Sequence, residues 1–220
     1  MIEAVIFDMD GLLIDSEPLW QEAEIKIFST VGVHLTRELC LQTMGYKIDE
    51  VVRYWHNKFP WQGKSFEEME KEIFEEAIRL IVEKGEAMEG VTYILDFFKK
   101  RNVRIGLAST SPIRVINTVL NKLNISHYFE VLHSAEFEEY GKPHPAVFIN
   151  AAKKLDVQPY FCLVFEDSFN GLIAAKAARM KTISIPDKGY SNETKFDISD
   201  FKLNSLSEFN DRHFEALNNL

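Results

Sequence analysis

The fold is decided by residues 3–15, Glu-Ala-Val-Ile-Phe-Asp-Met-Asp-Gly-Leu-Leu-Ile-Asp. The apolar run that ends at Phe7 is short and rich in Val and Ile, which predicts a strand buried on both faces of a sheet. Asp8 and Asp10 follow, and alternation along an extended chain would place both carboxylates on one side. Two such acids repel each other unless a cation or a proton lies between them, so the stretch indicates a metal site. Gly11 lets the backbone turn sharply and come close to a ligand.

The Asp-x-Asp-Gly motif alone has an alternative interpretation as a simple turn, because Asp and Gly are both favoured in turns. An EF-hand is excluded, since its loop needs Gly at the sixth position and Glu at the twelfth. Counted from Asp8, Gly11 is fourth and Leu19 is twelfth. The choice between a turn and a metal-and-phosphate site therefore depends on residues further along the chain.

Composition narrows the range of functions. A chain of 220 residues with a net charge of −9 can bury a sizeable core, as one large domain or two small ones. The negative charge argues against general nucleic-acid binding, and a phosphate site would need local positive charge together with Mg²⁺. Cys40 and Cys162 are far apart, as expected for reduced thiols in a cytoplasmic protein. The sequence contains no recognisable signal peptide or membrane-spanning run.

The order of patterns along the chain predicts an α/β fold. Residues 16–84 are helical in pattern, and Ser65 to Glu68 fit a capping box. From Gly90 onward, apolar strands alternate with helices; strands are expected at 103–108, 129–133, 162–165 and 182–185. Such alternation predicts a parallel sheet covered on both faces, with ligands beyond the carboxyl ends of its strands. We therefore predict a core of residues 1–15 and 85–220 and an inserted helical cap of residues 16–84.

Reactive side chains follow three of these strands. Ser109 closes the second, and Glu166 and Asp167 close the fourth. Acidic oxygens at this edge suit Mg²⁺, while the Ser109 hydroxyl, Lys142 and nearby backbone amides suit a phosphoryl group. Taken alone, Lys142 could equally be a surface lysine before a proline-rich helix start.

Four motifs, taken together and in order, resemble those of the haloacid dehalogenase superfamily of phosphohydrolases: Phe-Asp-Met-Asp-Gly at 7–11, Ser109, Lys142, and Glu166-Asp167. The resemblance implies a Rossmann-like core with a helical cap and a Mg²⁺ cofactor. It makes Asp8 the nucleophile and Asp10 the general acid and base. The implied metal ligands are Asp8, Asp10, Glu166 and Asp167, and the implied substrate-binding residues are Met9, Gly11, Trp20, Tyr46, Lys47, Ser109, Thr110 and Lys142.

Longer matches around these motifs resemble bacterial phosphatases that act on 2-deoxyglucose 6-phosphate and hexitol phosphates. This implies a monomeric, cytoplasmic enzyme for a small phosphorylated sugar or polyol, with no nucleic-acid or membrane partner. Trp20 could instead be core packing, and related sequences often have Arg near Lys47. A β-phosphoglucomutase-type isomerase would use the same motifs, and a non-catalytic phosphate-binding protein is a third alternative. Linkers near 13–17 and 84–90 are predicted hinges for cap movement.

Overall fold

A six-stranded parallel sheet forms the centre of the protein in the computed structural model, which describes residues 1–220. Its strands are β1 (Ala4–Phe7), β2 (Arg104–Ser109), β3 (Val131–Ser134), β4 (Cys162–Glu166), β5 (Lys181–Ser184) and β6 (Phe201–Lys202). Their order across the sheet is β3-β2-β1-β4-β5-β6. The predicted Rossmann-like α/β fold is therefore confirmed, with β1 between β2 and β4.

Strand β1 occupies the centre because every one of its residues is apolar and fully buried. Phe7 is paired with Leu107 of β2 and with Phe165 of β4, and its ring stacks on that of Phe165 with centroids 5.1 Å apart. The three central strands thus end side by side. Polar residues that follow them are brought to one edge of the sheet, as the sequence predicts.

Nine α-helices surround the sheet and extend from it. They are α1 (Glu17–Ser29), α2 (Arg37–Cys40), α3 (Ile48–Lys58), α4 (Phe66–Lys84), α5 (Val91–Lys99), α6 (Ile113–Lys122), α7 (Ala146–Lys154), α8 (Phe169–Ala177) and α9 (Asp211–Asn218). None of them combines the length and the apolar character that a membrane crossing requires.

Several boundaries differ from the sequence prediction. The helical pattern predicted over residues 16–84 is interrupted after Cys40, where the chain tightens into a 3₁₀ turn over Leu41–Thr43 and the Thr43 hydroxyl donates to the Cys40 carbonyl at 3.2 Å. Strand β3 begins two residues later than expected. Strand β6 and helix α9 were not predicted, since two residues are too few to show periodicity and α9 is short.

The helices α1 to α4 follow β1 directly, and the two segments that join them to the sheet lie against each other. The Asp15 amide donates to the Glu86 carbonyl at 3.0 Å, and the Met88 amide donates to the Leu13 carbonyl at 3.1 Å. One apolar cluster runs without a break from the sheet into these helices, up to Trp55. The division into cap and core, and the hinges at these segments, remain predictions.

Candidate active site

The side chain of Lys142 joins two of the strand ends. Its Nζ lies 2.5 Å from Asp8 Oδ1 and 2.5 Å from Glu166 Oε1, and all three side chains are buried. Asp8 follows β1, Glu166 ends β4, and Lys142 lies on the loop between β3 and α7. Residues up to 158 positions apart in sequence are thus within one ion-pair cluster. The alternative of a surface lysine at position 142 is wrong.

Charge in this cluster is unbalanced. Burial alone would lower the pKa of Lys142, but the carboxylates of Asp8 and Glu166 outweigh it and raise that pKa. Burial, opposed by the Lys142 charge, raises the pKa of Asp8. Burial and the neighbouring carboxylates of Glu166 and Asp8 raise the pKa of Asp167 well above its usual range. One ammonium among three carboxyl groups leaves a site that would be stabilised by a further cation.

Two of the predicted metal ligands, Glu166 and Asp167, differ in whether their carboxyl oxygens are already engaged in hydrogen bonds or ion pairs. Both oxygens of Glu166 are engaged, Oε1 by Lys142 and Oε2 by the amide and hydroxyl of Ser168 at 2.8 and 2.9 Å. Asp167 makes no hydrogen bond or ion pair, although its carboxyl oxygens come within 4.8 Å of those of Asp8 and Glu166. The residues therefore fit a hard divalent cation, for which the carboxyl groups of Asp167 and Asp8 are available ligands.

Asp10, also predicted as a metal ligand, lies outside that carboxylate group. Its Oδ1 accepts hydrogen bonds from the Ser16 hydroxyl at 2.7 Å and from Trp20 Nε1 at 2.8 Å. Its Oδ2 accepts from the Ser111 hydroxyl at 2.8 Å and from Ser109 at 3.4 Å. These donors hold the carboxyl group in place, which suits proton transfer better than metal binding through the side chain.

The backbone supplies further groups beside Asp8. The amides of Met9, Asp10 and Thr110 donate no hydrogen bond within the protein, so they are free for anionic oxygens. The Met9 side chain lies in the apolar core, and any contact it makes with substrate must come from its amide. Gly11 has φ +75°, and a Cβ there would overlap the carboxylate of Asp167. Glycine at position 11 thus leaves room for the acidic cluster.

A cavity of about 70 Å³ opens beside Asp10, between the sheet edge and the helices that follow β1. Three residues of the helical block, Trp20, Tyr46 and Lys47, are predicted to contact the substrate. Trp20 and Tyr46 line this cavity. Lys47 does not; its Nζ lies 3.4 Å from the Glu138 carbonyl, and its stem packs beside Gly141. It therefore contacts the loop that carries Lys142.

Sequence reasoning missed Ser16 and Ser111 as partners of Asp10, and it missed Glu24 as a cavity residue. Ser16 is the N-terminal cap residue of α1, but its hydroxyl makes no capping bond and donates to Asp10 instead. A Ser immediately before a helix signals a cap in any sequence. The proximity of Ser16 to the Asp-x-Asp motif in the sequence was the one signal that could have suggested its hydrogen bond to Asp10.

Comparisons with known proteins agree with this geometry. A family model described as haloacid dehalogenase-like hydrolase matches residues 2–179. The chain is 43% identical to hexitol phosphatase B of Escherichia coli (strain K12) over 208 residues, which are 94% of each chain. It is 34% identical to the phosphorylated carbohydrates phosphatase of Thermotoga maritima over 182 residues, 83% of this chain and 84% of that one. The crystal structure of β-phosphoglucomutase from Clostridium difficile superposes with a TM-score of 0.85 at 27% identity, covering 100% of this chain and 98% of that one.

Proposed function

The chain belongs to the haloacid dehalogenase-like hydrolase family, and from this membership we propose that it hydrolyses phosphate monoesters of small sugars or polyols with the aid of Mg²⁺. The names of the hexitol and carbohydrate phosphatases to which it is similar support this substrate class. The observation that carries the proposal is the buried contact of Lys142 with both Asp8 and Glu166, beside a free Asp167. The charge and the free oxygens of this cluster suit a phosphate ester.

Asp8 is the proposed nucleophile. Its Oδ1 is held by Lys142, whereas Oδ2 has no partner and can attack phosphorus. The new Oδ2–P bond forms as the bond from phosphorus to the ester oxygen breaks, which gives an aspartyl-phosphate. Asp10 gives its proton to the departing alkoxide, and then takes a proton from the water that attacks the aspartyl-phosphate. Asp8 is released with inorganic phosphate as the second product.

The remaining residues hold the phosphoryl group. We propose that the amides of Met9, Asp10 and Thr110, the Ser109 hydroxyl and Lys142 bind its oxygens. Asp8 and Asp167 would hold Mg²⁺, which neutralises charge on the transferring group when bound. Glu166, with both oxygens engaged, positions Lys142.

Phosphate release from a panel of sugar and polyol phosphates, measured with and without Mg²⁺, tests the function. We predict that Asp8→Asn lowers kcat at least about a thousandfold, because an amide oxygen cannot form the phosphorylated intermediate. Asp15→Asn is the matched control, since Asp15 belongs to the same stretch but is exposed. Steady-state hydrolysis that persists in Asp8→Asn would contradict the assignment of the nucleophile.

A mutase is the second candidate, and the close superposition on β-phosphoglucomutase favours it. A mutase returns the phosphoryl group to another hydroxyl of the same sugar instead of to water, using the same residues. Conversion of β-glucose 1-phosphate to glucose 6-phosphate without release of free phosphate would identify this activity. A protein that only binds phosphate would show neither reaction.

A further inference from the structure

Glu24 is a buried acid that the proposed reaction does not use. It lies on α1 and lines the cavity beside Asp10, and it is 8% exposed. Its Oε2 is one of two buried side-chain polar atoms in the protein that have no hydrogen-bond partner; the other is Trp55 Nε1 in the helices. Buried polar atoms are normally paired, and the Cys40 thiol beside Glu24 is only a weak donor, so this carboxyl group on a cavity wall indicates a site for a ligand.

The surroundings of Glu24 suit an uncharged hydroxyl group. Burial raises the pKa of Glu24 to about 8 and that of Glu17, on the same cavity wall, to about 7. A carboxyl group that retains its proton both donates and accepts hydrogen bonds, as a hydroxyl group does. The cavity contains no Lys or Arg, so a second anionic group on a substrate would find no partner there. The rings of Trp20 and Tyr46 offer apolar faces to carbon atoms.

We infer that Glu24 is a specificity residue that binds a hydroxyl group of the substrate remote from its phosphate, so that the enzyme selects polyol or sugar monophosphates and rejects substrates with a second anion at that end. The inference rests on the proposed function, because the position of Asp10 sets which end of the substrate enters the cavity.

The test compares two variants on matched substrates. Glu24→Leu keeps the approximate volume but removes both hydrogen-bonding atoms, and Glu24→Gln keeps a polar head. Sorbitol 6-phosphate carries the remote hydroxyl groups, and p-nitrophenyl phosphate carries none. We expect Glu24→Leu to lower kcat/KM for sorbitol 6-phosphate about tenfold or more and to leave that for p-nitrophenyl phosphate within about twofold. Glu24→Gln should retain most of the activity on both, as should Glu22→Leu, a control on α1 whose half-exposed side chain pairs with Lys84 outside the cavity.

A third substrate is used to test whether the enzyme rejects a second anionic group at the end remote from the phosphate. 6-Phosphogluconate matches sorbitol 6-phosphate in length but ends in a carboxylate instead of a hydroxymethyl group. The wild-type enzyme should prefer sorbitol 6-phosphate, and Glu24→Gln should narrow that preference about threefold or more, because an amide never ionises, whereas Glu24 repels the carboxylate once it loses its proton. An equal loss on sorbitol 6-phosphate and p-nitrophenyl phosphate in Glu24→Leu, or no loss on either, would overturn the inference.

Failure of the proposed function would look different. A wild-type enzyme that releases phosphate from no ester contradicts the phosphatase assignment, whatever Glu24 does. In that case, calorimetric binding of sorbitol 6-phosphate to Asp8→Asn, compared with the double variant Asp8→Asn and Glu24→Leu, still decides the role of Glu24. About tenfold weaker binding in the double variant supports the inference, and unchanged binding overturns it.

Discussion

Asp10 depends on a residue that never touches the substrate cavity. The Ser16 hydroxyl is fully buried and donates to Asp10 Oδ1, while Trp20 donates to the same oxygen from the cavity wall. Both donors come from the beginning of the helical block, so the position of these helices and the orientation of the proposed acid and base are linked. Ser16 is thus a positioning residue.

We predict that Ser16→Ala lowers kcat about three- to tenfold and leaves KM nearly unchanged. A hydrogen bond to a charged group contributes about 1.5–3 kcal/mol, and the bond from Trp20 retains part of that stabilisation. Steady-state kinetics on sorbitol 6-phosphate and p-nitrophenyl phosphate measure the change, which should be equal on both substrates. Ser29→Ala, at the other end of α1, is the control, since its hydroxyl bonds only to the Lys26 carbonyl. A loss confined to KM would contradict the positioning role.

The buried acid Glu24 makes stability depend on pH. Its pKa is about 8 in the folded protein and near 4.5 when exposed, so both states hold the proton below pH 4.5. As pH rises from 4.5 to 8, the unfolded state loses this proton and the folded state retains it, which favours unfolding. The contribution of protonated Glu24 is therefore fully present at low pH and is lost by the time pH exceeds about 8.

We predict that Glu24→Gln becomes more stable relative to the wild type as pH rises. Urea unfolding at pH 4.5 and pH 8.5 should show the difference in free energy of unfolding grow in favour of the variant by about 1–3 kcal/mol. Glu22→Gln, on the half-exposed part of α1 where Glu22 pairs with Lys84, should show no growth in favour of the variant. A difference that does not change with pH would mean that Glu24 titrates normally.

Among the secondary-structure elements, the exit from β1 is the most restricted. The turn at Gly11 has φ +75°, and the space where a Cβ would stand is filled by Asp167. Gly32, after α1, has the similar φ of +78° and no atom within 4 Å of a Cβ. The two glycines therefore share the backbone strain that a substitution would cause, and only Gly11 adds a collision with the acidic cluster.

We predict that Gly11→Ala lowers kcat/KM at least about tenfold and lowers the free energy of unfolding by about 1–3 kcal/mol more than Gly32→Ala does. The extra loss arises because the new methyl group must displace Asp167. Activity assays and urea unfolding of both variants give the comparison. Similar losses in both would show that backbone strain alone accounts for the effect.

The helices and strands that were predicted correctly are those specified by residues close together in the sequence. The apolar run of β1 and the capping box of α4 involve neighbours in the chain, and the Ser65 and Glu68 side chains make both expected bonds. The Ser111–Asp10 bond joins residues 101 positions apart, and the unpaired oxygen of Glu24 depends on how α1 meets the cavity. Such contacts arise from tertiary packing, which periodicity and caps do not encode.

Across the whole molecule, Mg²⁺ should stabilise the folded state, because the carboxylates that would bind it come together only there. At a Mg²⁺ concentration about a hundred times Kd, binding adds about 2.7 kcal/mol, which corresponds to a rise in Tm of about 5–11 °C for a chain of this size. Thermal unfolding in Mg²⁺ and in EDTA measures this shift.

Two variants with the same charge change sharpen that prediction. Asp167→Asn should abolish most of the Mg²⁺-dependent shift, since it removes a free ligand of the cluster. Asp156→Asn should keep it, because Asp156 precedes β4 at the opposite edge of the sheet and has a φ of +53° that Asn tolerates. An unchanged shift in Asp167→Asn would place the ion elsewhere.

The paired segments 13–15 and 86–88 have a consequence for how such a protein can diversify. Since the two segments lie against each other where the chain leaves the sheet and returns to it, we expect the roughly 70 residues in between to be exchangeable as a unit. In a chimera with these residues taken from a relative, we expect the proposed catalytic residues at the sheet edge to be retained. The substrate specificity should be that of the relative. Recombination within these two adjacent segments would thus change the substrate while leaving the proposed catalytic residues in place.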